Sequence, residues 1–291
     1  MIFLILSILS TSFLLLLFKI FARLNINIQQ AVVFNYLAAS VLALSINPPE
    51  SFSEIRDAPW IWIALLLGMI FFVVFSVVSY SGAVLGTAVT TTSYKMSLII
   101  PVIVAIVLYH DTFNFWRVGG LILALVSLFL TSPKLNTEVG QKKISGLLKF
   151  VPVFIFLGSG LADTLVMVGQ NHYKLAGKPG LFIAVIFSAA AFSGLIFMLV
   201  RSLRGIEKKI SLRSIAGGVL LGAVNYATLY FLMMALGCKP FERSVIFVIN
   251  NVGIVMITST AAYSLLKEEL GLRQRIGILV AVVAIVLTGI N

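Results

Sequence analysis

Long apolar stretches follow one another through almost the whole chain, and they constrain its fold more than any other feature. A membrane-spanning helix needs about 20 largely apolar residues, and ten segments of the 291-residue sequence provide them. These segments cover residues 3–22, 29–46, 60–82, 86–108, 115–132, 148–172, 180–202, 213–236, 240–265 and 273–290. The sequence therefore predicts an all-α membrane protein with ten transmembrane helices and no soluble domain.

Composition supports this class and excludes others. Only 11% of the residues are charged, whereas a soluble domain carries about 25%. The net charge of +11 comes from basic residues in loops, where they set topology and meet lipid headgroups. We therefore expect the lipid bilayer, and not a nucleic acid, as a partner. Cys238 is the single cysteine, so neither a disulfide framework nor a thiolate metal site is expected.

An internal repeat relates residues 93–131 to residues 250–288 at a constant offset of 157. Each copy has an apolar helix, a short turn with an acidic residue, and a second apolar helix. Across the turn, the aligned residues are Asp111, Phe113 and Gly120 in the first copy and Glu268, Leu270 and Gly277 in the second. In the last helix, Thr131 aligns with Thr288. A duplicated membrane unit is typical of secondary transporters.

The repeat defines the predicted domain organisation. A polar stretch at 133–147 lacks apolar periodicity and separates a first five-helix half, 1–132, from a second, 148–291. Because five is odd, two such halves cross the membrane in opposite senses and form inverted repeats, with the substrate path between them. Basic residues are more numerous in the loops after odd-numbered segments, which predicts cytoplasmic odd loops and both termini outside.

The turn regions resemble the half-repeat of the EamA-like family of the drug/metabolite transporter superfamily. That half-repeat has a proline within an apolar helix, a glycine–acid turn, an apolar residue two positions later, and a glycine at the start of the last helix. The first copy carries Pro101, Asp111, Phe113 and Gly120, and the second carries Glu268, Leu270, Gln274 and Gly277. The chain departs from the family pattern at His110 and Lys267, which replace the turn glycine, and at Thr258, which aligns with Pro101.

The resemblance implies a secondary transporter that exports small polar or amphipathic metabolites, such as amino-acid-like or drug-like solutes, by alternating access. It implies a bacterial inner membrane and termini in the cytoplasm, the orientation opposite to that from the charge count. Further expected partners are the substrate itself and either protons or a counter-substrate. No P-loop or dinucleotide fingerprint occurs, so ATP hydrolysis is not expected, and no cofactor is predicted.

Lys95 is the most informative single residue because a lysine at the bilayer centre costs about 2.5–3.5 kcal/mol. Thr87, Thr91 and Lys95 share a helix face, and Pro101 is expected to kink the helix shortly after them. Lys95 is interpreted as a cation for an anionic substrate group or as part of a proton switch. The alternative is an ion pair that only fixes packing. Asp163 is its natural partner or a proton carrier.

Further polar residues within the segments are candidates for substrate binding. Asn250 and Asn251 align with Ser93 and Tyr94 in the repeat, next to Lys95, and their amides suit a polar metabolite. The alternative is interhelical hydrogen bonding. Weaker candidates, for which helix packing is the favoured role, are Asn225, Tyr226, Asn35 and Tyr36. If these residues line the substrate site, the rings of Tyr94 and Tyr226 are expected to pack against the substrate.

Two other functions remain open at this level. One is a translocase for lipids, lipid-linked sugars or nucleotide sugars, which would need a lateral opening between helices. The other is an intramembrane enzyme, which is disfavoured because no nucleophile–base pair or metal constellation is evident. We therefore predict no catalytic residues and no metal site, and we assign Asp111 and Glu268 to capping or ion pairs at turns.

Overall fold

A computed structural model describes residues 1–84, 87–111, 114–132, 150–172, 179–206, 210–238, 241–266 and 271–289. The described chain is built from helices joined by short connections. In chain order these are α1 (Ile2–Arg23), α2 (Ile28–Ile46), α3 (Phe52–Arg56), α4 (Ile61–Val84), α5 (Thr87–Met96), α6 (Ile99–Tyr109), α7 (Phe115–Thr131), α8 (Val151–His172), α9 (Pro179–Leu203), α10 (Leu212–Gly237), α11 (Arg243–Leu266) and α12 (Leu272–Gly289).

The prediction of an all-α membrane protein is confirmed for the described residues. Nine spans among them are long and apolar enough to cross a bilayer, and α5 and α6 together provide one of these. The remaining predicted segment, 115–132, forms α7, which is apolar but shorter, with 17 residues. The chain is therefore a multi-pass integral membrane protein.

The chain divides into two compact units that do not follow the order of the sequence. The first unit comprises Met1–Ser76 and Leu165–Gly237, and the second comprises Val77–Thr164 and Cys238–Asn291. The boundaries fall within α4 and within α8, so each unit takes helices from both predicted repeats. The linker predicted at 133–147 lies outside the described residues, and the assignment of 1–132 and 148–291 as repeats stays a prediction.

Two helix pairs in the first unit pack through glycines in the same way. A methyl group added at Gly222 of α10 would meet the backbone of α2 at the oxygen of Asn35 and, at 3.0 Å, the nitrogen of Ala39. A methyl added at Gly68 of α4 would meet α9 at the oxygen of Ile186 and, also at 3.0 Å, the nitrogen of Ala190. Small residues allow such close backbone approach between membrane helices.

In the second unit, α7 and α12 pack against each other through a reciprocal pair of contacts. A methyl added at Gly120, near the start of α7, would lie 2.8 Å from the backbone nitrogen of Thr288, near the end of α12. A methyl added at Gly277, near the start of α12, would lie 3.0 Å from the backbone nitrogen of Thr131, at the end of α7. The two helices are therefore antiparallel, and the aligned residues of the repeat exchange partners.

Candidate functional site

The fourth predicted segment is an interrupted helix, because α5 and α6 are separated at Ser97 and Leu98. Pro101 accounts for the break, since it has no amide hydrogen to donate to the carbonyl oxygen of Ser97. That oxygen instead accepts a hydrogen bond from the amide of Ile100 at 3.0 Å. The helix is thus interrupted one turn before Pro101, the residue at which the sequence predicts a kink. Discontinuous helices of this kind form the binding sites of many secondary transporters.

Lys95 lies in the last turn of α5, directly before the break. Its side chain is only 5% exposed, and its Nζ lies 5.4 Å from the centroid of the Tyr94 ring, a cation–π distance. Tyr94 itself is 39% exposed. The carboxylate of Asp163 attracts Lys95 electrostatically, yet no carboxylate oxygen of the described residues lies within 4.0 Å of its Nζ. Lys95 and Asp163 therefore interact without a direct ion pair.

Asp163 is carried by α8 close to the start of α6. Gly160, one turn earlier on α8, approaches α6 so closely that an added methyl would lie 2.7 Å from Cβ of Ile100. The hydroxyl of Thr164 donates to the carbonyl of Gly160 at 2.7 Å, so its hydrogen bond is made within α8. The small-residue surroundings predicted for Asp163 therefore allow α8 to pack beside the interrupted helix.

Asn250 and Asn251 lie in the middle of α11, in the same unit as Lys95 and Asp163. Asn250 is buried, at 5% exposure. Asn251 is half-buried and its amide nitrogen donates to the carbonyl of Phe247, one turn earlier, at 3.1 Å. The amide oxygen of Asn251 is not used by that bond. The two residues therefore differ in environment, although they are adjacent in sequence.

The other predicted site residues belong to the first unit. Asn35 on α2 is fully buried and its Oδ1 accepts from Nδ2 of Asn225 on α10 at 3.2 Å. Tyr226, next to Asn225, is also buried, and its hydroxyl accepts from Nδ2 of Asn47 at 3.1 Å. The Tyr226 ring stacks on that of Tyr230 with centroids 5.8 Å apart. These side chains hold α2 and α10 together, the packing role that was favoured for them.

A buried carboxylate at one end of the second unit has a structural role. Asp111, in the turn after α6, is 7% exposed, and its Oδ2 accepts from both the backbone amide and the hydroxyl of Ser244 at 2.9 Å. Its Oδ1 lies 3.6 Å from the guanidinium of Arg243. Arg117 and Glu242 form a neighbouring ion pair. Asp111 thus caps the first turn of α11, and the capping role predicted for it is confirmed. Glu268, its counterpart in the repeat, lies outside the described residues.

The turn before Asp111 contains His110, which stands where the EamA-like half-repeat has a glycine. His110 adopts φ 54°, in the left-handed region, which glycine enters readily and other residues enter at a cost. The turn at this position therefore has the backbone conformation that a glycine favours, although the residue is histidine.

Two polar contacts were not anticipated from the sequence. The hydroxyls of Ser81 on α4 and Thr90 on α5 are buried and lie 2.7 Å apart, within the second unit. Asn47 in the first unit caps α2 and also reaches Tyr226. Asn47 stands directly before Pro48 and Pro49, a pattern that predicts a helix end, but a partner 179 residues away leaves no local signal.

The structure therefore separates the predicted site residues into two groups. Lys95, Tyr94 and Asp163 come together around the break between α5 and α6, and Asn250 and Asn251 share their unit. Asn35, Asn225 and Tyr226 form hydrogen bonds within the other unit. Within the described ranges, no group of three or more histidine, cysteine, aspartate or glutamate side chains is arranged to hold a metal ion.

Comparison with known proteins supports the fold and does not name a substrate. No family model matches the chain. An uncharacterized protein of Haemophilus influenzae is 24% identical over 281 residues, which cover 92% of this chain and 91% of that protein. A protein of known crystal structure has 14% identity and a TM-score of 0.68, with 98% of this chain and 94% of that chain covered. The fold is thus shared with a solved structure across almost the whole chain.

Proposed function

We propose that the protein is a secondary transporter that exports small polar or amphipathic solutes by alternating access. The observation that carries the proposal is the buried cation Lys95, placed at the break of an interrupted helix and attracted by Asp163 of a neighbouring helix. An ionisable side chain inside a membrane span is costly, and it usually marks a substrate or ion pathway. The direction of transport rests on the resemblance to the EamA-like family.

The proposed architecture is ten transmembrane helices in two inverted five-helix repeats. The reciprocal contacts between α7 and α12 support it, because Gly120 meets Thr288 while Gly277 meets Thr131. A two-fold relation between aligned residues produces this exchange of partners. The similar glycine contacts of α10 with α2 and of α4 with α9 support the same relation.

Within this proposal, Lys95 and Asp163 sense substrate charge, and Tyr94 packs against the substrate. Asn250 and Asn251 provide amide hydrogen bonds from α11. Asn35, Asn225 and Tyr226 have a positional role, since Oδ1 of Asn35 accepts from Asn225 and the hydroxyl of Tyr226 accepts from Asn47. The buried Nδ2 of Asn35 has no hydrogen-bond partner in the described part of the chain.

Transport by reconstituted protein tests the proposal. Purified protein in proteoliposomes would be screened for counterflow of radiolabelled amino acids, nucleosides and sugars, after a thermal-shift screen for ligands that raise the melting temperature. We expect counterflow of at least one solute class, and a loss of most of it in Lys95→Ala and in Asp163→Ala. Arg213→Gln, at an exposed position near the start of α10, is the matched control and should transport normally. Full transport by both site variants, with normal folding, would show that the site is elsewhere.

A further inference from the structure

The basic side chains of the second unit differ in whether a carboxylate lies beside them. Arg117 forms an ion pair with Glu242, and Arg243 lies 3.6 Å from a carboxylate oxygen of Asp111. Lys95 is more deeply buried than Arg117 and Arg243. In the described part of the chain, however, no carboxylate oxygen lies within 4.0 Å of its Nζ. A buried ammonium without a direct counter-ion carries a desolvation cost, and a bound anion would offset part of it.

The interrupted helix supplies a further electrostatic element near Lys95. Lys95 lies in the last turn of α5, where the negative end of the helix dipole stabilises its charge without an ion pair. At the start of α6, the amide of Leu98 donates to the carbonyl of Lys95 at 3.4 Å and the amide of Ile100 donates to the carbonyl of Ser97 at 3.0 Å, while Pro101 has no amide hydrogen. The charge that would attract an anion at the break is therefore that of the buried Lys95.

We propose that Lys95, at the break between α5 and α6, binds the anionic group of an organic acid. When no solute is bound, the carboxylate of Asp163 replaces that group as the negative charge that attracts Lys95. The inference rests on the proposed transport function and names the class of its substrate. Tyr94, Lys95 and Asp163 are the groups that interact electrostatically with one another there.

Competition for Lys95 predicts opposite effects for the two charged residues. Lys95→Met removes the attracting charge, so affinity for an organic anion falls by about tenfold or more. Asp163→Asn removes a negative charge that repels the bound anion and attracts Lys95, so affinity rises several-fold, while release and therefore turnover become slower. If Asp163 were only a packing partner that holds Lys95 in place, its removal would weaken binding instead.

Binding to the full-length protein in detergent tests the proposal with probes matched in shape but not in charge. The probes are benzoate, benzamide and benzylamine, together with N-acetylleucine and its amide, and the readouts are thermal-shift titration and counterflow in proteoliposomes. We expect the two carboxylates to bind and the amides and the amine to bind much more weakly. Lys95→Met should lose this preference, Lys95→Arg should keep it, and Arg213→Gln should match the unaltered protein.

The possible failures are distinguishable. If the amides or benzylamine bind and move as well as the carboxylates, or if Asp163→Asn weakens carboxylate binding, the anion assignment is wrong while transport stands. If no probe binds and none moves, the anion assignment is wrong for these acids. If the wider solute screen is also empty, the transport function fails with it. Melting temperatures of each variant without ligand separate these results from misfolding.

Discussion

The interrupted helix α5–α6 and the continuous helix α11 occupy aligned positions in the sequence repeat, and two of the differences between them concern the backbone break and the buried charge. Pro101 in the first aligns with Thr258 in the second, and Lys95 aligns with Val252. The first copy breaks at Ser97–Leu98, whereas α11 runs without interruption from Arg243 to Leu266. Val252 is fully buried and apolar, and Lys95 is almost as buried but charged. The proline and the lysine are therefore two of the differences that distinguish α5–α6 from α11, together with the replacement of Ser93 and Tyr94 by Asn250 and Asn251.

On the proposed inverted-repeat architecture, this difference indicates how two similar halves can form an asymmetric site. The contacts that the copies share, such as the exchanged glycine and threonine contacts of α7 and α12, are close backbone packing. The positions at which they differ carry the charge and the broken backbone. On the proposed function, the shared contacts build the scaffold, and Lys95, Pro101 and the asparagines of α11 define the substrate site.

Introducing a proline into the continuous helix should have the largest effect. Thr258→Pro removes the amide that bonds one turn back in α11 and clashes with the preceding turn, which costs about 3 kcal/mol of unfolding free energy. Unfolding in mixed micelles with increasing SDS measures it. The matched control is Thr258→Val, because the buried Thr258 hydroxyl has no hydrogen-bond partner in the described chain and its loss should be nearly neutral. Equal stability of the two variants would mean that α11 tolerates a break as α5–α6 does.

Removing the cap of α11 should have the next largest effect. Asp111→Ala leaves the amide and hydroxyl of Ser244 without their acceptor in a buried environment, at a cost of about 1–3 kcal/mol. Asp57→Ala, at an exposed ion pair with Arg56, is the control and should change stability by less than about 0.5 kcal/mol. A comparable loss in the two variants would remove the capping role from Asp111.

Restoring a continuous helix at the break should raise the stability of the protein and slow its transport. Pro101→Ala restores an amide that can donate to the carbonyl of Ser97, so we expect the unfolding free energy to rise by about 1 kcal/mol. Transport should become slower, because the interruption beside Lys95 is part of the proposed site. The SDS titration and the counterflow rate are measured on the same preparation. Faster transport, or a less stable protein, would contradict this account of the break.

Relieving the strained turn should have the smallest effect. His110→Gly removes the penalty for the left-handed conformation at φ 54°, and a gain of up to about 1 kcal/mol is expected. His110→Ala keeps a Cβ and should give no such gain, which makes it the control. A less stable glycine variant would show that the imidazole itself supports the turn.

Much of the fold was predictable, because a helix that crosses a bilayer needs a long run of apolar residues. The sequence has such runs, and they match the observed helices. The break was predictable from Pro101, and the buried position of Lys95 from its distance to the ends of its segment. The partners were not predictable. Asp111 and Ser244 are 133 residues apart, and Asn47 and Tyr226 are 179 apart. Neither pair has local periodicity that would reveal it, and the division into two compact units depends on such long-range packing.

Alternating access at the break is the central claim, and cysteine accessibility tests it most directly. Tyr94 is 39% exposed beside Lys95, and Cys238 is the only natural cysteine, so Tyr94→Cys in a Cys238→Ser background carries one reporter thiol. A membrane-impermeant maleimide would be added to right-side-out and, separately, to inside-out vesicles. The account predicts labelling from both sides, in proportions that a transported solute changes. Labelling from one side only, unaffected by any solute, would contradict it.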